Sequence, residues 1–159
     1  MDVWIETLRA MATVWPLWVI LGLLAFGKVA LWVHAERRIA RSGIAEIDVM
    51  DGRTFERRLV ALFRSHGYNV EHVGRRGDYG ADLIVSKDGI RTVVQAKRWT
   101  RNVGVKAVQE AHAAPAMHGC SRAMVVTNRR FTNAARQLAG ANGVELWDRD
   151  KLVAALLVA

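Results

Sequence analysis

The stretch GADLIVSKDGIRTVVQAKRW, Gly80 to Trp99, decides the fold. Leu83-Ile84-Val85 and Thr92-Val93-Val94 are two β-rich apolar runs. Asp88-Gly89 between them is a two-residue hairpin signal. If Asp88-Gly89 is the whole loop, Lys87 faces Ile90, and counting outward sets Asp82 directly opposite Gln95. Cross-strand neighbours of this kind have Cβ atoms about 5 Å apart. Lys97 lies two residues past Gln95, so strand alternation puts it on the same face. A carboxylate, an amide and an ammonium therefore converge at one end of an otherwise apolar hairpin.

Upstream, Asp51 reads as a helix cap. Phe55, Leu59, Leu62 and Phe63 follow at i, i+4, i+7 and i+8, one helical face, and Gly67 stops the helix. Asn69 to Gly74 alternates weakly as a strand, Gly80 to Ser86 and Ile90 to Lys97 strongly. Downstream, Val103 to His118 reads as a helix interrupted near Pro115. Ala123 to Thr127 (AMVVT) reads as a buried strand, Phe131 to Ala141 as a helix and Val144 to Trp147 as a short strand. Asp148 caps a last helix through Leu157. The order α-β-β-β-α-β-α-β-α implies an α/β sandwich with a mixed central sheet.

The first 50 of the 159 residues are different in kind. Ala10 to Gly27 carries no formal charge, and after Lys28 the apolar run resumes to Val33. Eighteen helical residues span about 27 Å, close to the hydrocarbon thickness of a bilayer. Trp4, Trp15, Trp18 and Trp32 lie in or beside the run, where interfacial tryptophans belong. A cleaved signal peptide and a buried soluble helix compete with this reading. Asp2 and Glu6 in the leader oppose the first, and the lack of a polar face opposes the second. The chain thus divides into a leader (1–9), a transmembrane helix (10–33), a polar linker (34–50) and a soluble domain (51–159). Lys28, Arg37, Arg38 and Arg41 follow the span and Arg9 alone precedes it, which places the domain in the cytoplasm as a single-pass inner or plasma membrane protein.

The chain carries a net charge of +8. Past residue 42 there are 18 Lys and Arg against 12 Asp and Glu, a net +6. Nucleic acid and anionic lipid are the acidic partners such a domain meets at a membrane. The single cysteine, Cys120, excludes an internal disulfide framework, has no CxxC neighbour for zinc, and reads as a small core residue. His66, His72, His112 and His118 show no metal-ligand spacing. Arg75-Arg76-Gly77-Asp78-Tyr79-Gly80 reads as a flexible basic loop without the lysine and spacing of a phosphate-binding P-loop.

Asp82 and Gln95 offer hard oxygen ligands suited to Mg²⁺ or Mn²⁺. A metal there would polarise a phosphate and acidify a water, with Lys97 orienting that water or stabilising developing charge. Glu56, near the start of the first helix, is a candidate further carboxylate. Against this, Asp82 could serve a strand-end amide and Lys97 could blunt a sheet edge. Arg98, Arg101, Lys106, Arg129 and Arg130 follow the strand ends and are candidates to line a DNA cleft. Trp99 reads first as a core tryptophan and second as a platform for a base or sugar.

The pattern Asp82…Gln95-Ala96-Lys97 resembles the PD-(D/E)xK nuclease superfamily in its QxK form. The wider set is similar to the Mrr-like restriction endonucleases, which act on modified DNA: Phe55-Glu56, Gly80-Ala81-Asp82-Leu83, Gln95 to Trp99, Val103 to Glu110, Val126-Thr127-Asn128 and Phe131. The resemblance covers roughly Asp51 to Leu157. It implies a restriction-endonuclease-like α/β/α sandwich and a type IV restriction-like endonuclease. Glu56, Asp82 and Gln95 would be metal-associated, Lys97 catalytic and Gln109 an accessory residue. Cutting both strands calls for two active sites, which brings in a homodimer. Where those relatives carry a separate DNA-reading domain, a membrane span stands here. Two other readings stay open: a nucleic-acid-binding module of the same fold that cuts nothing, and a basic surface that binds anionic lipid.

Overall fold

The computed structural model describes residues 2–40, 42–73 and 80–158. The chain forms two compact units, residues 1–38 and 39–159. Helix α1 runs from Asp2 to Ala40 with Pro16 inside it, and all but its last two residues belong to the first unit. Its Trp15–Ile39 segment is long and apolar enough to cross a membrane, with a mean hydropathy of 1.9 over its most apolar stretch.

The second unit orders its elements as α2 (Ile44–Ile47), α3 (Gly52–Ser65), β1 (Asn69–His72), β2 (Leu83–Lys87), β3 (Ile90–Lys97), α4 (Val105–Ala113), α5 (Pro115–His118), β4 (Arg122–Thr127), α6 (Asn133–Asn142), β5 (Val144–Trp147) and α7 (Arg149–Leu157). The five strands form one sheet in the order β1-β2-β3-β4-β5. β1, β2 and β3 pair antiparallel, and β3, β4 and β5 parallel. Helices cover both faces, so the sequence's α/β/α sandwich with a mixed sheet is the observed fold.

Local chemistry explains the boundaries. Asp51 caps α3 through the Thr54 amide at 2.8 Å, and that bond holds its carboxyl below the usual range. Gly67, at φ +80°, ends the helix. The Tyr68 amide then reaches back to the Phe63 carbonyl at 3.0 Å and the two rings meet edge to face, the apolar contact that accompanies such a cap. Asp88 and Gly89 both have positive φ, 51° and 77°, the type I′ geometry whose twist matches the flanking strands. Thr132 and Asp148 cap α6 and α7 with their side chains.

Two cores flank the sheet. On one face Phe55, Leu59, Leu62 and Phe63 of α3 and Leu152 of α7 pack on Leu83, Val85, Val94, Met124 and Val126. Burying each large apolar side chain is worth about 1.5–3 kcal/mol. On the other, Ala107, Val108 and Ala111 of α4 and Ala135 and Ala139 of α6 pack on Ala123, Val125 and Val144. Small alanines on these helices let them lie close to the sheet. Val103 and Phe131 form a lone parallel bridge, so α4 and α6 begin two residues later than hydropathy alone suggests. Cys120 is partly buried, against Ala81, Val93 and Ala114.

The segment read as a polar linker is more ordered than its charge suggests. Residues 34–40 continue α1. Gly43 and Glu46 cap the short α2, and Ile47 is fully buried in the α3-side core. The Ser42 carbonyl accepts from buried Arg58 Nε at 2.9 Å. Burial lowers the Arg58 pKa from its ordinary value, and the nearby Glu46 charge opposes this. Asp48 accepts from Arg149 Nη1 at 2.8 Å on each oxygen and from Asn128 Nδ2 at 2.8 Å. Charges hide the apolar spacing of Ile44, Ile47 and Met50, which all pack on that core.

Desolvation pushes the Asp48 carboxyl up, but the bonds from Asn128 and Arg149 and the charges of Arg149 and Arg129 outweigh it, so its pKa is lowered. A lowered native pKa gives stability that is whole above the unfolded value of about 4 and lost as pH falls through the native one. Asp48→Asn is therefore expected to cost about 1–3 kcal/mol at neutral pH. The difference from wild type should shrink below about pH 4. Urea unfolding of residues 39–159 across pH checks this; a deficit independent of pH would contradict it.

Candidate active site

The hairpin has the register expected from its turn: Lys87 pairs Ile90 and Leu83 pairs Val94. The ladder continues one step, with the Asp82 amide donating to the Val94 carbonyl at 3.0 Å. Asp82 thus stands opposite Gln95. Its Oδ2 accepts from Gln95 Nε2 and from the Ala96 amide, both at 2.7 Å. Gln95 is 5% exposed. Its other amide atom, Oε1, is buried without a hydrogen-bond partner, an arrangement that costs about 1–3 kcal/mol if nothing compensates it.

Gly80 closes over that oxygen. It has φ +88°, and a Cβ there would lie 2.9 Å from Gln95 Oε1, 3.0 Å from Glu110 Cβ and 3.1 Å from the Glu110 carbonyl oxygen. Only glycine permits both this backbone conformation and this approach.

Val93, Gln95 and Lys97 alternate toward α4, while Val94 and Ala96 face α3. On α4, Ala107 and Ala111 point into the core, and Glu110 follows the same side. Glu110 Oε2 is 2.8 Å from Lys97 Nζ, and Lys106 Nζ lies 4.0 Å from Oε1. Gln109, the accessory candidate, is exposed on α4. Its neighbour Glu110 is the residue that reaches Lys97. The i, i+3 and i+7 spacing of Ala107, Glu110 and Ala114 carries that signal in the sequence.

Glu56 is placed differently. It lies on α3, which covers the opposite face, and its Oε2 is 3.1 Å from His72 Nε2. His72 pairs Leu83, the residue after Asp82. The pair therefore sits at the same end of the sheet, on its α3 side. No hairpin fixes the β1–β2 register in the sequence, so His72 could not be selected there.

The basic candidates also divide. Arg98 Nη1 donates to the Asp48 carbonyl at 3.3 Å and is partly buried, which makes it a support of the sheet end. Arg129 donates to the Trp99 carbonyl at 3.1 Å. Arg130 is 3.6 Å from Asp150. Arg101 and Lys106 are exposed. Trp99 is 51% exposed and is not a core tryptophan. The core takes Trp147 instead, packed on Phe63 with ring centroids 5.3 Å apart. The Arg75–Gly80 loop lies outside the described residues up to Tyr79.

Among the described residues no three His, Cys, Asp or Glu side chains are grouped to share a metal ion. The site offers instead one carboxylate, one buried amide oxygen in need of a partner, and an ammonium held by a carboxylate, at the carboxyl end of a sheet strand.

Residues 47–156 match the Mrr catalytic-domain family model, described as a restriction endonuclease. The chain belongs to this family. The Type IV methyl-directed restriction enzyme EcoKMrr of Escherichia coli (strain K12) is 34% identical over 95 residues, covering 57% of this chain and 31% of that protein. The chain thus spans about a third of the relative it matches. A protein of unknown function, AF1548, shares the fold in its crystal structure, with a TM-score of 0.50 at 23% identity over 57% of this chain and 54% of that one. The family match assigns residues 47–156 to a restriction endonuclease domain.

Gly80→Ala should force the Gly80 backbone away from Gln95 and α4. We expect a loss of about 1–3 kcal/mol in stability. Nuclease activity should fall further than the folded fraction does. Urea unfolding and cleavage assays on the same preparation check this. Near-wild-type values in both would show that the approach is not tight in solution.

Proposed function

We propose that the chain is a membrane-anchored, Mg²⁺-dependent DNA endonuclease that hydrolyses phosphodiester bonds, in the manner of the type IV restriction enzymes. The observation that carries this reading is the Asp82–Gln95–Lys97 constellation on one sheet face, within a restriction endonuclease domain. Nuclease domains of this superfamily generally use divalent metals. The residues present fit such an ion: Asp82 and Gln95 would hold it, and the orphaned Gln95 Oε1 is an oxygen in need of a cation. Two protein ligands suit Mg²⁺, which keeps waters and takes substrate phosphate oxygens for the rest. Mn²⁺ takes the same oxygen donors.

When bound, the ion would acidify a water and polarise the scissile phosphate. The chain's own residues do the positioning. The Ala96 amide and Gln95 Nε2 fix the rotamer of Asp82. Glu110 holds the Lys97 ammonium on the same face, where it serves to orient the attacking water or to stabilise charge developing on the phosphate. Glu56 is proposed as a supporting carboxylate, oriented by His72. Gln109 is not needed for this scheme. Arg101 and Lys106, with Arg129 and Arg130, supply positive charge for the DNA backbone without reading sequence.

The relative's methyl-directed activity supports modified or foreign DNA as the target. The Trp15–Ile39 helix supports anchoring, and the basic residues after it support a cytoplasmic domain. Two copies acting together would cut both strands.

The test is cleavage of modified and unmodified plasmid with Mg²⁺, with EDTA, and by the Asp82→Ala and Lys97→Ala variants. EDTA should abolish cutting. Each variant should lower the rate by at least about 10²–10³-fold, with DNA binding by Asp82→Ala retained. Binding without cutting by the folded wild type would favour a non-catalytic nucleic-acid-binding module. Anchoring has its own measurement: the full chain should sediment with membranes through an alkaline carbonate wash. Release into the supernatant would refute it.

A further inference from the structure

Beside Lys97 the structure holds a cleft of about 140 Å³, lined by Lys97, Trp99, Val103, Lys106, Ala107 and Glu110. Liquid water occupies about 30 Å³ per molecule, so the space equals four to five waters, enough for one flat heterocycle and too little for a base pair. Its composition is mixed in a specific way. Val103 and Ala107 give apolar walls. Lys97 and Lys106 give cations, and Glu110 Oε1, 4.0 Å from Lys106, is a carboxylate oxygen with acceptor capacity.

Trp99 forms the remaining wall. Its indole is half exposed, yet its backbone is pinned at both ends. The amide donates to Asn128 Oδ1 at 2.9 Å, and the carbonyl accepts from Arg129 Nε at 3.1 Å. Asn128 is itself fully buried and bonded to Asp48. A half-exposed aromatic side chain is thus carried on a pinned stretch of backbone beside the cleft, open to a stacking partner. An acyl chain or apolar side chain would have no use for two ammonium groups and a carboxylate. A nucleotide uses all of these: the ring stacks, an N–H of the base donates to the Glu110 carboxylate, and the phosphates meet the cations. Within a duplex both faces of a base are already stacked, so only an unpaired base fits.

We propose that this cleft is a subsite for a single unpaired nucleobase of the DNA substrate, stacked on Trp99 next to Lys97. It deepens the nuclease reading by naming what the site takes beside the scissile phosphate, and it rests on that reading for DNA as the ligand. Unpairing a base costs a few kcal/mol, and least where the base is mismatched or damaged. The domain would therefore favour DNA whose pairing is already weakened.

The test measures binding, separately from cleavage, using the full chain in detergent micelles with Asp82→Ala to prevent cutting. The probes are labelled duplexes with one bulged adenine, with an abasic bulge at the same place, or fully paired. The bulged adenine should bind about 5- to 100-fold tighter than the other two. Trp99→Ala should erase that preference and Trp99→Phe should keep most of it. Lys106→Ala should weaken all three duplexes alike. Binding should also quench the fluorescence that wild type has in excess of Trp99→Phe. Equal affinity for the three duplexes, or a preference that survives Trp99→Ala, overturns the proposal and leaves the cleft to another ligand. A wild-type protein that prefers the bulged base but cuts nothing would count against the nuclease reading while the subsite stands.

Discussion

The parity of one two-residue turn governs this molecule. With Asp88 and Gly89 alone between the strands, Leu83 must face Val94 and Asp82 must face Gln95. One more residue in the loop would move every side chain of β3 to the opposite face. Gln95 and Lys97 would then enter the phenylalanine-rich core under α3, and Val94 would look toward α4. The positive φ angles of the turn therefore fix the apolar layers and the polar constellation together. The fold cannot be assembled correctly with the site assembled wrongly.

The two faces of the sheet meet different demands. The α3 side is built from large side chains. The α4 side is built from alanine and valine, which brings the helix backbone near the sheet. Only at that short range does Glu110 reach Lys97, and only at that range does Gly80 matter. Close packing and site chemistry are one design on this side. The polar groups gather at the strand end, where the small-residue core stops and solvent begins.

Most of the architecture was legible because its signals are local. The hairpin, β5 and the Asp148-capped α7 stand where periodicity and capping residues put them. The pairing of Asp82 with Gln95 followed from counting alone. What escaped depends on contacts between elements far apart in sequence. Trp99 looks like a core residue because it is large and apolar. It lies outside because it follows the strand end, where Asn128 turns the backbone. Glu110 was eclipsed by Gln109 because choosing between neighbours on a helix requires knowing which face meets the sheet. His72 was invisible without the β1–β2 register. Residues 34–50 looked like a tether because charged residues interrupt their apolar groups throughout, though Ile47 and Asp48 bind the segment's second half tightly to the domain.

That binding has a mechanical side. The compact domain begins at Ile39, so any pull applied to its amino end is met first by the Ser42–Arg58 bond and then by the carboxylate of Asp48. Asp48 passes the load to Asn128 and Arg149, just past the carboxyl ends of β4 and β5, and through its backbone carbonyl to Arg98, just past the end of β3. Tension is shared among the ends of three neighbouring strands, of which β3 and β4 are paired on both sides. The pull therefore reaches the end of β3, the hairpin strand that carries Gln95 and Lys97. A domain tethered at its amino end would thus feel a pull at the same strand ends that gather the groups it would use for chemistry.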